Sequence, residues 1–309
     1  MRAVLIVNPQ ATATTAAGRD VLAHALASQV KLEVVETDYR GHAMAAAAKA
    51  AVEGVDLVVA HGGDGTVNEV VNGMLAGGVS AAVPKLGIVP GGSANVFARA
   101  LGLPRHPIEA AHQLLLATAE GRSREVGLGR VSSNGSPERW FTFSAGVGWD
   151  ADVVAGVDRK RGKKASPALY TRVAVSSYLR PAHGKPRLTV EVPGQEPVSD
   201  LRLVFVSNTD PWTYLGERPI HLNRGCSFEG GLGLFALRSL RLPTVLRHLR
   251  QAVSRKGETR GGNLVRLDDV GHIRVISPEP VRVQCDGDLL GERTTVEFRA
   301  VPDALTVVV

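Results

Sequence analysis

Two hydrophobic periodicities divide the chain. In the first part, short continuous apolar runs, typical of buried strands, alternate with segments in which apolar residues recur at helical spacing. The apolar runs are residues 3–8, 31–37, 56–62 and 85–91. The helical segments are residues 16–28, 41–53, 66–75, 95–101 and 108–120. This alternation indicates a parallel sheet covered on both faces. We therefore predict an α/β domain over residues 1–125.

The pattern changes after residue 123. Short strand-like segments follow one another, separated by Gly, Pro and Asn, which is typical of an antiparallel β-sandwich or open barrel. Two helical stretches interrupt them, at 165–179 and 243–256. We predict a second, β-sandwich-like domain over residues 126–299. We expect the end of the chain, residues 300–309 with a strand at 304–309, to rejoin the first domain.

Composition narrows the class of protein. A chain of 309 residues with 44% hydrophobic and 21% charged residues is long enough for two globular domains. The two cysteines form no cluster with histidine, so neither a disulfide framework nor a zinc site is indicated. No apolar run approaches the roughly 20 residues of a membrane span, and none resembles a signal peptide. We expect a cytoplasmic protein.

The net charge of +6 leaves several partners open. A basic protein can bind nucleic acid, an anionic membrane or a phosphorylated substrate, or can have no anionic partner at all. Aromatic residues make up only 5% of the chain, and no helix-turn-helix pattern is present. Nucleic-acid binding is therefore the weakest of these alternatives.

The strongest chemical signal is HGGDGTVNEVVNG at 61–73, where a buried strand enters a helix through three glycines. Glycines let successive main-chain N–H groups approach a phosphate, and the helix amino terminus adds positive potential there. A carboxylate in such a cradle would repel phosphate, so we expect Asp64 to hold Mg²⁺ or to orient the reacting groups. The alternative is an ordinary tight turn with Asp64 as a capping residue.

A second glycine turn lies in VPGGSANVFARALGLP at 89–104. Turns at the carboxyl ends of two parallel strands line one crevice, where ligands bind in open α/β sheets. The side chains of Ser93 and Asn95 could donate hydrogen bonds to phosphate or ribose oxygens. Plain helix capping is the alternative role for both.

Several blocks of sequence together resemble the diacylglycerol kinase catalytic family, which includes bacterial lipid kinases and the sphingosine and ceramide kinases. They are VNP at 7–9, Thr-x-x-x-Gly-x-Ala at 37–43, GGDGTVNEV, PGGSANVFA, SAGVGWDADV at 144–153 and CDGD at 285–288. The GGDGT block alone is shared with NAD kinases and phosphofructokinases. The resemblance implies a nucleotide domain of that fold, with ATP and Mg²⁺ as cofactors.

The resemblance also implies which residues contact ATP. They are Asn8, Pro9, Thr12, Thr37, Gly62, Gly63, Asp64, Gly65, Thr66, Asn68, Glu69, Gly91, Gly92, Ser93 and Asn95. Two positions depart from the family pattern. Ser93 stands where threonine is usual, and Gln-Ala-Thr follows Pro9 where a Ser-Gly pair is common. We expect the hydroxyl of Thr12 to replace the missing serine.

The motif Asp286-Gly287-Asp288 resembles the family's Asp-Gly-Glu, whose last carboxylate is taken as the base for the acceptor hydroxyl. The implied catalytic residues are therefore Asp64, Asp286 and Asp288. Asp288 is one methylene shorter than glutamate, and a misplacement of about 1 Å can lower a rate on the order of 10²-fold. The alternative is a surface Asp-Gly hairpin turn without a catalytic role.

A further departure concerns metal binding. Many family members carry the motif Asp-Asp-Gly-Leu, and its second aspartate binds a structural Mg²⁺. At the corresponding place this chain has SFEGGLGLFAL, residues 227–237. Gly230 occupies the ligand position and Glu229 precedes it. We expect this structural metal to be absent or to be bound through Glu229.

Two features lie in the middle of the chain. SAGVGWDA at 144–151 contains G-x-G-x-x-A, the pattern of a dinucleotide-binding turn, but no helix with a suitably placed acidic residue completes an NAD site. We therefore expect Asp150 and Asp152 to line the interdomain cleft or to cap the next segment.

A basic cluster follows, ahead of the helix at 165–179. Its members are Arg159, Lys160, Arg161, Lys163 and Lys164. We predict that the cluster docks on anionic membrane; a solvated loop is the alternative.

The combined expectation is a lipid kinase that transfers the γ-phosphoryl group of ATP to the hydroxyl of diacylglycerol, at a membrane surface. The lipid hydroxyl is expected to enter between the domains, toward Asp64 and Asp288. Open alternatives are a sphingoid base, ceramide, phosphatidylglycerol or another alcohol as acceptor, a soluble NAD kinase, and a non-catalytic lipid-binding relative. A homodimer is left open as well.

Overall fold

The structure, a computed structural model, describes residues 1–133, 136–148, 151, 187–254 and 258–309. These residues form two compact units. One unit comprises Met1–Leu128 together with Pro302–Val309, and the other comprises Gly129–Val301. The expected helix at 165–179 lies outside the described residues. Among the helices that are described, none has the length and apolar character needed to cross a bilayer.

The first unit is built on a parallel sheet. Its strands are β1 (Arg2–Val7), β2 (Lys31–Glu36), β3 (Leu57–Gly62) and β4 (Lys85–Pro90). They lie in the order β2–β1–β3–β4, and every pairing is parallel. Every residue of β3 is buried, as its continuous apolar run predicts. At the end of the chain, Val307 pairs in parallel with Leu86 of β4.

Five helices connect the strands of this unit. They are α1 (Ala16–Ala27), α2 (His42–Val52), α3 (Asp64–Met74), α4 (Val96–Ala100) and α5 (Pro107–Glu120). Side chains of α1 and α5, including Leu26 and Leu114, share one core with Leu5 and Val59 of the sheet. On the opposite face, α2 lies beside Val4. The predicted α/β architecture, with helices on both faces of a parallel sheet, is confirmed.

The start of α3 differs from the prediction. The periodicity of apolar residues placed it at Thr66, whereas the helix begins at Asp64. Periodicity cannot detect the first helical turn here because its residues, Asp64 and Gly65, are not apolar. A carboxylate in a first turn is favourable because it faces the positive end of the helix dipole.

Antiparallel strands dominate the second unit. They are β5 (Arg124–Ser133), β6 (Ser136–Phe141), β7 (Ser144–Gly148), β8 (Leu188–Glu191), β9 (Val198–Leu201), β10 (Leu203–Ser207), β11 (Thr213–Leu215), β12 (Arg218–Ile220), β13 (Leu232–Leu237), β14 (Leu264–Val270), β15 (His272–Cys285) and β16 (Asp288–Val307). The first and last of these strands, β5 and β16, extend into the first unit. The main order is β14–β13–β10–β7–β15–β16. β5 pairs with β6, β8 with β9 and β15, and β11 with β12. The predicted strand-rich domain is confirmed.

Among the residues of this unit that the structure describes, two apolar cores are formed. The larger one contains Phe141 and Phe298, whose rings meet edge to face with centroids 6.2 Å apart. The smaller one is formed by Phe205 and Phe235 and is covered by Ala252 of helix α6 (Leu242–Val253). Aromatic pairs in such arrangements stabilise the fold beyond the area they bury. The unit thus holds the β15–β16 hairpin and α6 in fixed positions.

Candidate functional site

Two glycine turns lie in direct contact at the carboxyl ends of β3 and β4. We call residues 62–65 the first glycine turn and residues 91–93 the second. The amide of Gly91 donates to the carbonyl of Gly62 at 2.7 Å. A Cβ added to Gly92 would lie 2.6 Å from the Cα of Gly63, a distance that real Cβ atoms essentially never show. Only glycine therefore allows the two backbones to approach this closely.

The second glycine turn is held in shape by Asn95. Its side-chain oxygen accepts from the amide of Gly92 at 2.9 Å, and its side-chain nitrogen donates to the carbonyl of Gly92 at 2.8 Å. Asn95 is buried and has a left-handed backbone conformation with φ of 48°, which asparagine tolerates better than most residues. Both ends of its amide are thus used inside the protein, so Asn95 shapes the turn.

The first glycine turn runs directly into α3, whose first residue is Asp64. The N-cap residue is Gly63, which has no side chain to form a cap hydrogen bond. The half-buried carboxylate of Asp64 accepts a long hydrogen bond, 3.4 Å, from the amide of Phe97 in α4. Gly65 is exposed. The uncapped amino terminus therefore presents main-chain amides and positive potential beside one carboxylate.

Asn8 ties the end of β1 to this turn. Its side-chain nitrogen donates to the hydroxyl of Thr66 at 3.0 Å, and its main-chain amide donates to the carbonyl of His61 at 2.9 Å. Thr66 packs closely on Gly62, where an added Cβ would lie 2.6 Å from the threonine hydroxyl oxygen. The ends of β1 and β3 and the start of α3 are therefore fixed to one another.

A third loop, at residues 11–14, lies against the second glycine turn. The amide of Ala13 donates to the carbonyl of Gly91 at 2.8 Å, and the hydroxyls of Thr12 and Ser93 are 3.4 Å apart. The hydroxyl oxygen of Thr14 is buried and has no hydrogen-bond partner among the described residues. Burying a polar atom without a hydrogen-bond partner lowers the stability of a protein. The Thr14 hydroxyl would gain a partner if an anionic ligand were bound beside it.

The remaining predicted ATP contacts have partners within the protein. The carboxylate of Glu69 accepts from the amide of Gly41 at 2.9 Å. Asn68 is buried, and its oxygens accept from the side chain of Asn72. The amide of Thr37 donates to the carbonyl of Val7 at 2.9 Å. These contacts support the loops around the glycine turns, and Pro9 is exposed next to Asn8.

His61, the last residue before the first glycine turn, is buried with 2% of its surface exposed. Its Nδ1 atom is 3.0 Å from the carbonyl oxygen of Val89, so this nitrogen carries the proton and donates. Burial lowers the pKa of His61, because the charged imidazolium is poorly solvated inside the protein. The side chain is therefore a neutral link between β3 and β4 near pH 7.

In the second unit, Asp286 and Gly287 form the two-residue turn between β15 and β16. Both have positive φ, 46° and 83°, as a type I′ hairpin requires. Asp286 is buried and accepts four hydrogen bonds, two from Thr142 and one each from the amides of Phe143 and Ser144. Burial raises the pKa of Asp286, and these donors oppose that shift. The motif is therefore an Asp-Gly hairpin turn, as the alternative reading has it, but its aspartate is buried and not on the surface.

Asp288 lies on the other side of this turn and forms an ion pair with Arg139 of β6. The distance from the arginine nitrogen to the carboxylate oxygen is 2.9 Å, and 18% of the Asp288 side chain is exposed. The two residues are 149 positions apart in sequence. Arg139 was not among the predicted site residues, because no local pattern relates it to Asp288. The ion pair orients a carboxylate that solvent can still reach.

An aspartate from a distant part of the chain lies beside the predicted structural metal site. Asp269 accepts a hydrogen bond from the amide of Gly231 at 2.6 Å, and its oxygen would lie 3.5 Å from a Cβ placed on Gly230. Glu229 is exposed. Across the described ranges, no group of three or more His, Cys, Asp or Glu residues is arranged to hold a metal ion. Metal binding through Glu229 stays a prediction.

The two cysteines are buried and do not contribute to a reactive site. Burial raises the pKa of Cys226 to about 12 and raises that of Cys285 as well, so both remain protonated and unreactive near neutral pH.

The basic cluster at 159–164 and the aspartates at 150 and 152 lie outside the described residues.

The chain is similar in sequence to known proteins. The family model of the diacylglycerol kinase catalytic domain matches residues 2–131. A diacylglycerol kinase of Mycobacterium tuberculosis (strain H37Rv) is 31% identical over 272 residues, which cover 84% of this chain and 79% of that protein. A diacylglycerol kinase of Bacillus subtilis (strain 168) is 37% identical over 168 residues, and the matched region spans 50% of its length.

Solved structures share the fold. A crystal structure of a diacylglycerol kinase from Bacillus anthracis str. Sterne has a TM-score of 0.72 and 22% identity, and the match covers 99% of this chain and 96% of that one. An NAD kinase from Archaeoglobus fulgidus in complex with ATP has a TM-score of 0.54 and 12% identity, with 100% and 94% coverage. The likeness to both agrees with the predicted NAD kinase-like fold of the first domain.

Proposed function

Because this chain belongs to the diacylglycerol kinase catalytic family, we propose that it is an ATP- and Mg²⁺-dependent lipid kinase. It would transfer the γ-phosphoryl group to the hydroxyl of diacylglycerol and release phosphatidic acid. The observation that carries the proposal is the contact between the two glycine turns at the uncapped amino terminus of α3. That arrangement offers main-chain amides to a polyphosphate at the carboxyl end of a parallel sheet.

The triphosphate would lie over the two glycine turns. Amides of residues 63–66 would donate to phosphate oxygens, and the helix dipole of α3 would favour the negative charge. Two hydroxyls, those of Thr12 and Ser93, face one another at 3.4 Å and could both donate to the same phosphate. The orphaned hydroxyl of Thr14 gives this loop a third donor. These groups are pre-positioned, which is what phosphoryl transfer requires most.

Asp64 is the acidic residue of the first glycine turn, and it would hold the Mg²⁺ that accompanies ATP. The bound ion would neutralise charge on the phosphate oxygens. The carboxylate fits this role because it is half-buried in the first turn of α3, directly after the glycine that begins the phosphate cradle. A capping role alone would not require a carboxylate next to a phosphate cradle.

Asp288 would accept the proton of the acceptor hydroxyl. Its carboxylate is partly exposed, and Arg139 orients it at 2.9 Å. Asp286 is different, because four donors already occupy its two oxygens. We therefore propose that Asp286 positions the hairpin that carries Asp288 and does not itself exchange a proton during the reaction.

The experiment that tests the proposal is phosphoryl transfer from radiolabelled ATP to a panel of acceptors in mixed micelles. The panel contains diacylglycerol, a sphingoid base, ceramide and phosphatidylglycerol. The variants are Asp64→Asn and Asp288→Asn, each checked for folding by circular dichroism. We expect label in phosphatidic acid with the parent protein, and a loss on the order of 10²-fold or more in each variant.

The outcomes separate the alternatives. Label in another lipid of the panel would keep the kinase and change its acceptor. ATP binding without transfer to any acceptor would favour a non-catalytic relative, for which Asp288, shorter than the usual glutamate, is the supporting observation. Full activity of Asp288→Asn in a folded protein would remove Asp288 as the base.

A further inference from the structure

Helix α6 carries large apolar side chains on its outer surface. Leu242, Leu246 and Leu249 are 51%, 53% and 50% exposed. Their spacing of four and three residues places them on one side of the helix, and we call these three residues the leucine strip. Single exposed leucines are ordinary on protein surfaces, but three in a row along one helix form a continuous apolar strip.

The packing of α6 fixes which way the strip faces. His248 and Ala252 are buried, and the ring of His248 meets that of Phe235 edge to face, with centroids 6.1 Å apart. The carbonyl of Ala252 accepts from the amide of His221 at 3.0 Å. At about 100° per residue, the leucine strip lies roughly 110° around the helix from these buried side chains. The leucines cannot turn inward unless α6 leaves its core.

Arginines accompany the strip. Arg247 and Arg250 are exposed on α6, and Arg241 is exposed at its N-cap. The sequence of α6, LPTVLRHLRQAV, contains no acidic residue. Within the part of the chain that the structure describes, none of the three arginines is close enough to a carboxylate to form an ion pair. One surface thus combines leucines with positive charge that is not neutralised nearby.

We infer that the leucine strip and its arginines dock this protein on the surface of an anionic phospholipid bilayer. Leucines can enter the boundary between head groups and acyl chains, while neighbouring arginines reach lipid phosphates. A purely apolar protein groove would match the leucines and leave the arginines without a counter-charge. The inference rests on the proposed function in one respect, because a lipid acceptor would be found in such a bilayer. It is independent of the basic cluster at 159–164.

The test measures binding to sucrose-loaded vesicles by sedimentation, without ATP and without an acceptor lipid. Vesicles consist of phosphatidylcholine with or without phosphatidylglycerol. The first variant is Leu246→Gln/Leu249→Gln, and the second is Arg247→Gln/Arg250→Gln. The matched control is Ile108→Gln/Leu116→Gln on α5 of the first unit, where the two side chains are 68% and 45% exposed.

The structure gives the size of the expected effects. Each leucine of the first variant still exposes about half of its surface, so its transfer into the bilayer contributes about half of that of a full side chain. We expect the leucine variant to bind anionic vesicles about 10- to 30-fold more weakly. Each arginine near an anionic surface contributes roughly fivefold. The arginine variant should therefore lose binding to anionic vesicles and change little on neutral ones.

Three results would overturn the inference. One is unchanged vesicle binding by the leucine variant. Another is an equal loss in the α5 control, which would show that any exposed apolar pair acts in this way. The third is a parent dimer that becomes monomeric in the leucine variant, with unchanged vesicle binding, because a second copy would then cover the strip.

Turnover on a short-chain diacylglycerol dissolved in solution separates this inference from the proposed function. Lost vesicle binding with unchanged turnover on the dissolved acceptor supports docking through α6. A parent protein without turnover that still binds vesicles through the leucine strip would refute only the kinase proposal. A parent that turns over normally while its leucine variant binds vesicles fully would refute only the docking.

Discussion

Replacing Gly92 with alanine tests whether the two glycine turns must touch. The new Cβ would lie 2.6 Å from the Cα of Gly63 and 2.9 Å from the side-chain oxygen of Asn95. Non-bonded carbon atoms are at their optimum about 3.5–4.0 Å apart. The first contact is therefore short by about 1 Å, and it is made to backbone, which cannot rotate away as a side chain can. The two turns must separate, or the second must change shape.

Both stability and activity should respond. Overpacking of this kind typically lowers the free energy of unfolding by about 1–3 kcal/mol. A displacement of about 1 Å in groups that position a reactant can lower kcat/KM on the order of 10²-fold, which is about 2.7 kcal/mol of transition-state stabilisation. Gly63→Ala should have a smaller effect, because its Cβ would meet the Cα of Gly92 at 3.2 Å.

The assay combines urea unfolding, ATP binding by calorimetry and phosphoryl transfer. Gly77→Ala is the matched control, because no described heavy atom lies within 4 Å of a Cβ at that position and its φ is ordinary. We expect the order of damage Gly92→Ala, then Gly63→Ala, then Gly77→Ala. If folded Gly92→Ala bound ATP and turned over like the control, the close contact would not be what forms the phosphate site.

Three further predictions concern buried polar groups. Asp286→Asn should lower the free energy of unfolding by at least about 2 kcal/mol, measured by urea titration, because an amide nitrogen would face donors that now bond a carboxylate. Arg139→Gln should lower kcat about tenfold and leave the KM for ATP unchanged, because Asp288 loses the ion pair that orients it, and Arg139→Lys should restore part of the loss. His61→Gln should reduce the pH dependence of stability. The lowered pKa of His61 means that, below about pH 6.5, the unfolded chain binds a proton that the folded protein disfavours, so the parent loses stability as the pH falls.

Each of these has a result that would contradict it. Parent-like stability of Asp286→Asn would mean that the four hydrogen bonds contribute little. A change in the KM for ATP alone in Arg139→Gln would place that arginine at the nucleotide and not at the acceptor base. For His61, the comparison is the difference between unfolding free energies at pH 7 and pH 5, and an equal difference in parent and variant would assign the pH dependence to other groups.

Much of the fold follows from local sequence. The apolar run of β3 is buried at every residue, and the helix predicted after it is α3. These features are predictable because hydrophobic periodicity and glycine content act over a few neighbouring residues. The contact between the glycine turns was also predictable, because the carboxyl ends of neighbouring parallel strands lie at one edge of a sheet. The boundary of α3 was less predictable because its first turn is not apolar.

The alternation of strands and helices, the two glycine turns and the Asp-Gly hairpin were predictable because each depends on residues close together in the chain. Three other features could be learned only from the folded chain: Asp286 is buried, Arg139 pairs with Asp288 across 149 positions, and the leucine strip of α6 faces outward. Contacts of this kind depend on how distant segments pack. A hydrophobic pattern shows that a helix has apolar positions, but packing selects the side that is covered.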